Sequence, residues 1–164
     1  MKKWMLATML IIVCLLTACG ASKESPQKAA AEISIDEVFD KIMAVNPVAD
    51  ARTIDDFALE NEMGLNPENI EAYKGVITNS QNDCSLIFVA KAKDGKARDV
   101  KKELSDYLTG LSANDLYVEF ADKIEKTKQA RPLIFDDYVV LSIAGLQVDN
   151  DAVVKAINEA FGES

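Results

Sequence analysis

The sequence predicts an α+β fold: a two-layer domain with a mainly antiparallel sheet of about four strands and helices mainly on one face. Three observations predict it. Two short runs rich in β-formers, residues 84–92 and 138–144, each follow a polar break of the kind that turns a hairpin. Several other segments carry apolar residues at helical spacing, with charged residues between them. A spacing of 53 residues relates two parts of this layout. Leu86, Ile87 and Phe88 map onto Val139, Val140 and Leu141, and Val100, Leu104 and Leu108 map onto Val153, Ile157 and Phe161. Each half reads strand, turn, strand, loop, helix. Such a hairpin-plus-helix unit cannot bury its apolar face alone, and pairing two of them gives a layered domain.

The chain opens with Lys2 and Lys3, an apolar run over residues 4–16, and the small pair Thr17-Ala18 before Cys19. A positive start, a short apolar stretch and small residues before a cut make a secretory signal peptide over residues 1–18. A transmembrane helix needs about 20 apolar residues, and this run ends sooner, at Gly20, Ser22, Lys23 and Glu24. A buried amphipathic helix would need a polar face, which the run lacks. Leu16-Thr17-Ala18-Cys19 resembles the lipobox of bacterial lipoproteins. The resemblance implies cleavage between Ala18 and Cys19 and a thioether-linked diacylglycerol on Cys19, with palmitate-class acyl chains holding the protein at the extracytoplasmic face of the cell membrane. Cleavage after Ala18 without lipidation is the alternative. Residues 19–32 then form the lipidated cysteine and a polar tether, ASKESPQKAAAE, which spans about 18–20 Å as a flexible chain.

Residues 33–164 form the single domain. Ser34 and Glu37 make a capping box before a helix whose stripe is Ile35, Val38, Phe39, Ile42 and Met43. Asn46-Pro47 ends it, because proline moves its predecessor out of the helical region. Around Thr53-Ile54-Asp55-Asp56-Phe57 the pattern suits either a short helix or an edge strand, and residues 63–67 read as a turn. Strands are expected over residues 70–78 and 84–92, joined by the polar loop 79–83. The second has apolar residues on both faces near its middle, which suits a central place in the sheet.

Asp94-Gly95 breaks that strand. A helix with Ala97, Val100, Leu104, Leu108 and Leu111 on one side follows, and then another over about 114–128 with Tyr117, Phe120, Ala121 and Ile124. Residues 132–135 and 138–144 read as a hairpin turned at Asp136-Asp137. Asp149-Asn150-Asp151 caps a last helix with Val153, Ala156, Ile157, Ala160 and Phe161.

Four stretches, taken in order, resemble a family of small bacterial lipoproteins labelled domain of unknown function 4358. They are Ile54-Asp55-Asp56-Phe57, Met63-Gly64-Leu65-Asn66-Pro67-Glu68, the run from Leu86 to Asp94, and Asp137-Tyr138-Val139-Val140-Leu141-Ser142-Ile143. They span most of the chain from Ile54 to Phe161. The chain departs from the pattern where similar proteins have a glycine before the Asn-Tyr or Asp-Tyr of the last hairpin, since Phe135-Asp136 stands here. The resemblance implies location and fold and brings no activity with it.

Composition narrows the chemistry. Loss of Lys2 and Lys3 with the signal takes the formal charge from −9 to −11. A polyanion is repelled by nucleic acid and by anionic headgroups, so no nucleic-acid partner is expected and lipid must hold the protein at the membrane. The absence of histidine removes Ser-His-Asp and Cys-His catalysis and the usual base near neutral pH. The lone tryptophan, Trp4, lies in the signal. Cys14 leaves with the signal and Cys19 takes the lipid, so Cys84 is left without an intramolecular partner.

Beside Asp83 and on a central strand, Cys84 reads as a structural thiol with its thiolate disfavoured. The acidic pairs Asp55/Asp56, Asp136/Asp137 and Asp149/Asp151 lack the spacing of a calcium loop and suit turns and helix caps. No cleft for sugar is marked, and Asp94-Gly95-Lys96 is only a fragment of a phosphate loop. Neither a catalytic residue, a metal site nor a cofactor is expected. The expected function is binding or interaction in the cell envelope, with a protein or a small molecule as partner. The alternatives are an envelope enzyme without histidine and a purely structural tether.

Overall fold

Ser34 starts the folded chain as its sequence predicts. Its hydroxyl accepts a hydrogen bond from the Glu37 N–H at 3.4 Å, and helix α1 (Ile35–Val45) follows with Val38, Phe39 and Ile42 buried. The computed structural model describes residues 33–113 and 121–163. The stretch that suits either an edge strand or a short helix contains both. Strand β1 (Ala51–Thr53) is followed by a π-helical turn over Ala58–Glu62, where the Asp55 carboxylate accepts from the Ala58 N–H at 2.9 Å.

Beyond a 3₁₀ turn at Pro67–Asn69 come β2 (Ile70–Thr78) and β3 (Leu86–Ala92), then α2 (Ala97–Ser112) and α3 (Ala121–Gln129). Strands β4 (Leu133–Phe135) and β5 (Tyr138–Ile143) and helix α4 (Asn150–Ala160) complete the fold. The helix expected over 114–128 is seen from Ala121. Its residues Tyr117 and Phe120 lie outside the described residues.

All pairings in the sheet are antiparallel, in the order β1-β2-β3-β5-β4. The α+β class and the antiparallel sheet are therefore as the sequence predicts. The strand number rises from about four to five, because β1 pairs with the end of β2 through Ala51↔Thr78 and Thr53↔Val76. Three residues are too few to show a period of two in the sequence.

The layering needs a larger correction, because helices cover both faces of the sheet rather than mainly one. Leu86, Phe88 and Ala90 of β3 pack with Val100, Leu104 and Leu108 of α2. The alternate residues Ile87 and Val89 pack with Val38, Phe39 and Ile42 of α1 and with Val153 and Ile157 of α4. The sheet is the middle of three layers. A strand that is apolar on successive residues rather than alternate ones must be covered on both sides. Every residue of β5 is buried, and six of the seven in β3 are.

The 53-residue correspondence survives in the strands and fails in the helices. Leu86 and Phe88 share a face with Val139 and Leu141, and Ile87 shares the other with Val140. The helices that follow go to opposite faces, so the α2 and α4 stripes never meet in one core. Phe161, at the end of α4, stacks on Phe135 of β4 with ring centroids 4.1 Å apart.

The β4–β5 turn places a residue other than glycine in the left-handed region. Asp136 takes φ +51°, the left-handed region that an L residue with a side chain enters at a cost. Asp136→Gly should raise stability by about 0.5 kcal/mol, glycine's extra chain entropy offsetting part of the relieved strain. Urea midpoints compared at equal slope would check this, and a fall in the midpoint would mean that the Asp136 side chain holds the turn.

Candidate functional site

An apolar concavity sits at one end of the sheet, where β2 and β5 finish and β3 begins. It holds about 270 Å³. Ile77 and Thr78 of β2 and Ile143 of β5 form its floor, and the loop before β3 adds Asp83 and Cys84. Tyr107 and Leu111 of α2 and Lys123, Ile124 and Thr127 of α3 form the walls. Helix α2 starts beside the far end of the sheet and delivers its last turns here. Leu111 completes the apolar stripe of α2 yet is 40% exposed. It has no core to enter at this end and borders the concavity instead.

The polar loop 79–85 is held by short-range bonds that its composition supplies. Thr78 Oγ donates to the Ala49 carbonyl at 2.6 Å and accepts from the Ser80 N–H at 3.0 Å. Asp83 Oδ2 accepts from Ser85 Oγ at 2.6 Å, and Oδ1 accepts from the Leu146 N–H at 3.1 Å. Burial works against the Asp83 charge. Hydrogen bonds from Ser85 and from the N–H groups of Cys84 and Leu146 outweigh it and hold the carboxyl below its usual range. This contribution to stability is present above the unfolded pKa and is lost as the pH falls through the folded one. Glycine at 145 lets the carboxylate approach, since a Cβ there would lie 3.3 Å from Oδ1.

Behind the concavity, Asn46 clamps the end of α1 to β5. It is fully buried. Its Nδ2 donates to Ser142 Oγ at 3.0 Å and to the Ile143 carbonyl at 2.9 Å, and its Oδ1 accepts from the Gly145 N–H at 3.0 Å. Ser142 Oγ in turn donates to the Leu86 carbonyl at 3.1 Å. The sequence marks Asn46 only as a helix terminator.

Cys84 is half-buried on the wall, and its Sγ donates to the Ala144 carbonyl at 3.6 Å. Burial, reinforced by the Asp83 charge, pushes its pKa up to about 11 against the smaller opposing pull of Lys123 and Lys126. At pH 7 the thiolate is then on the order of one molecule in ten thousand. Iodoacetamide at neutral pH should label Cys84 slowly in the folded protein and readily in denaturant. Rapid native labelling, read by mass spectrometry of the Cys84 peptide, would make it a reactive thiol.

The other residues singled out in the sequence do not converge. Asp56 accepts from the Tyr73 hydroxyl at 2.6 Å, Asp136-Asp137 turn a hairpin, and Asp149 caps α4 by accepting from the Asp151 N–H at 3.2 Å. Lys96 pairs with Asp99 at 3.0 Å. Among the described residues, no three Cys, Asp or Glu side chains are grouped to hold a metal ion. Ala18 and Cys19 lie outside the described residues. Sequence reasoning missed the concavity and the places of Tyr107 and Leu111 in it. In the sequence Leu111 and Ile124 read only as members of the apolar stripes of two successive helices, which gives no sign of a space between them.

Comparison with known protein families, with curated proteins and with solved structures gives no match to this chain.

Proposed function

We propose that this chain is a lipid-anchored, extracytoplasmic protein of the bacterial cell envelope, akin to the small lipoproteins labelled domain of unknown function 4358, whose domain binds a small molecule. The anchor rests on one observation: Leu16-Thr17-Ala18-Cys19 closes a short apolar run that follows Lys2-Lys3. Binding rests on the concavity of about 270 Å³ bounded by Cys84, Leu111 and Ile124.

An enzyme is less well supported, because the thiol in the concavity is held protonated and the neighbouring Asp83 carboxylate is occupied by hydrogen bonds from Ser85 and Leu146.

Metabolic labelling with an alkyne fatty acid tests the anchor. Wild type should incorporate the label and fractionate with membranes, and Cys19→Ala should lose the label and accumulate as precursor or released protein. Equal labelling and equal membrane retention of the variant would overturn the reading.

A further inference from the structure

We propose that the concavity at the Ile143 end of the sheet takes an uncharged ligand with a compact apolar body, such as a small ring or a branched aliphatic group. The inference rests on the binding function proposed above and narrows it to a ligand class. Three observations carry it.

The first is size and lining. About 270 Å³ exceeds the roughly 150 Å³ that accommodates benzene in an apolar cavity. The walls that matter are side chains of Ile77, Leu111, Ile124 and Ile143 and the ring of Tyr107. The second is that four polar side chains at the rim, Thr78, Asp83, Lys123 and Thr127, are already engaged within the protein. Both Asp83 oxygens accept hydrogen bonds, Thr78 and Thr127 hydroxyls donate to the carbonyls of Ala49 and Lys123, and Lys123 Nζ donates to the Gln81 carbonyl. A ligand that brought several polar groups would surrender its hydration for few new bonds. The third is charge. Among the described residues that line the space, Asp83 and Lys123 carry opposite charges, and each is already engaged within the protein, so neither is offered to an ionic ligand. An ion would lose hydration on entering an apolar space and recover little of it.

Cys84 supplies the reporter, because it stands on the wall that a ligand would cover. The full chain in lipid nanodiscs is alkylated with N-methylmaleimide at about pH 9, where the thiol becomes reactive enough to follow. Peptide mass spectrometry reads the Cys84 rate separately from any other cysteine. The probes are cyclohexanol, cyclohexanecarboxylate and cyclohexylammonium, which share a ring and differ in charge.

Cyclohexanol at ten times its dissociation constant should slow alkylation about tenfold, with the two ions leaving the rate nearly unchanged. Leu111→Trp and Ile124→Phe each fill the space from a different helix and should abolish the protection, with the circular dichroism spectrum retained in at least one of them. Stronger protection by the carboxylate or the ammonium would overturn the uncharged class and leave a binding site. Protection by none of the three, or protection that persists in a folded filled variant, would overturn the site itself and with it the binding function, without touching the anchor.

Discussion

Leu104→Ala and Ile157→Ala should each lower the stability of the domain by about 2–5 kcal/mol. Leu104 is wholly buried under one face of the sheet, and Ile157 is 3% exposed under the other. Each truncation removes apolar area from a closed cluster and leaves a cavity that the sheet cannot collapse to fill, because its opposite face is packed as well. The two clusters never touch directly, yet both use β3 and β5, whose backbones are hydrogen-bonded from Leu86↔Ile143 to Lys91↔Tyr138. Loosening either face exposes strands that the other face needs. Both variants should therefore shift one cooperative urea transition rather than split it.

Lys102→Ala is the control. Its 2.6 Å contact with Asp106 joins two exposed side chains, and its loss should leave the urea midpoint nearly unchanged. A transition that divides in two, with Leu104→Ala moving one part and Ile157→Ala the other, would show that the faces fold separately. A neutral Leu104→Ala would contradict its burial.

Asn46→Ala should be comparably damaging, at about 3 kcal/mol or more, although it removes few apolar contacts. Truncation strips the Gly145 N–H and the Ile143 carbonyl of their side-chain partner in a buried setting, and each unsatisfied group costs about 1–3 kcal/mol. Asn46→Asp separates this cause from a change of size. The carboxylate keeps an acceptor for Gly145 but loses the donor for Ile143, and burial disfavours its charge. With the folded pKa raised, protonation favours the native state. The variant should then sit closer to wild type below the carboxyl's unfolded pKa and lose stability as the pH rises above it. Thermal midpoints across the acid range would show it. A pH-independent deficit would mean that shape, not desolvation, sets the cost.

The elements legible in the residues alone are local or periodic. The caps at Ser34 and Asp149, the stop at Asn46-Pro47 and the hairpin at Asp136-Asp137 rest on contacts within a few residues, the strands around Phe88 and Leu141 show in their runs of β-formers, and all are where the pattern puts them. The α+β class follows from those elements. The quiet environment of Cys84 was legible too, from Asp83 beside it and a central strand after it.

Tertiary structure alone decided the rest. The choice of face for each helix is made by the loops after β3 and β5 and by which apolar stripe matches which side of the sheet, and a helical stripe has no label for the side it will cover. Doubly apolar strands demanded two covering layers without saying which helix supplies which. The bonds from Asn46 to Ile143 and Gly145 join residues 97 and 99 positions apart. The concavity arises only because helices α2 and α3 bring Leu111 and Ile124 to the same end of the sheet. No periodicity encodes a space between side chains, since that space belongs to the packing and not to any segment.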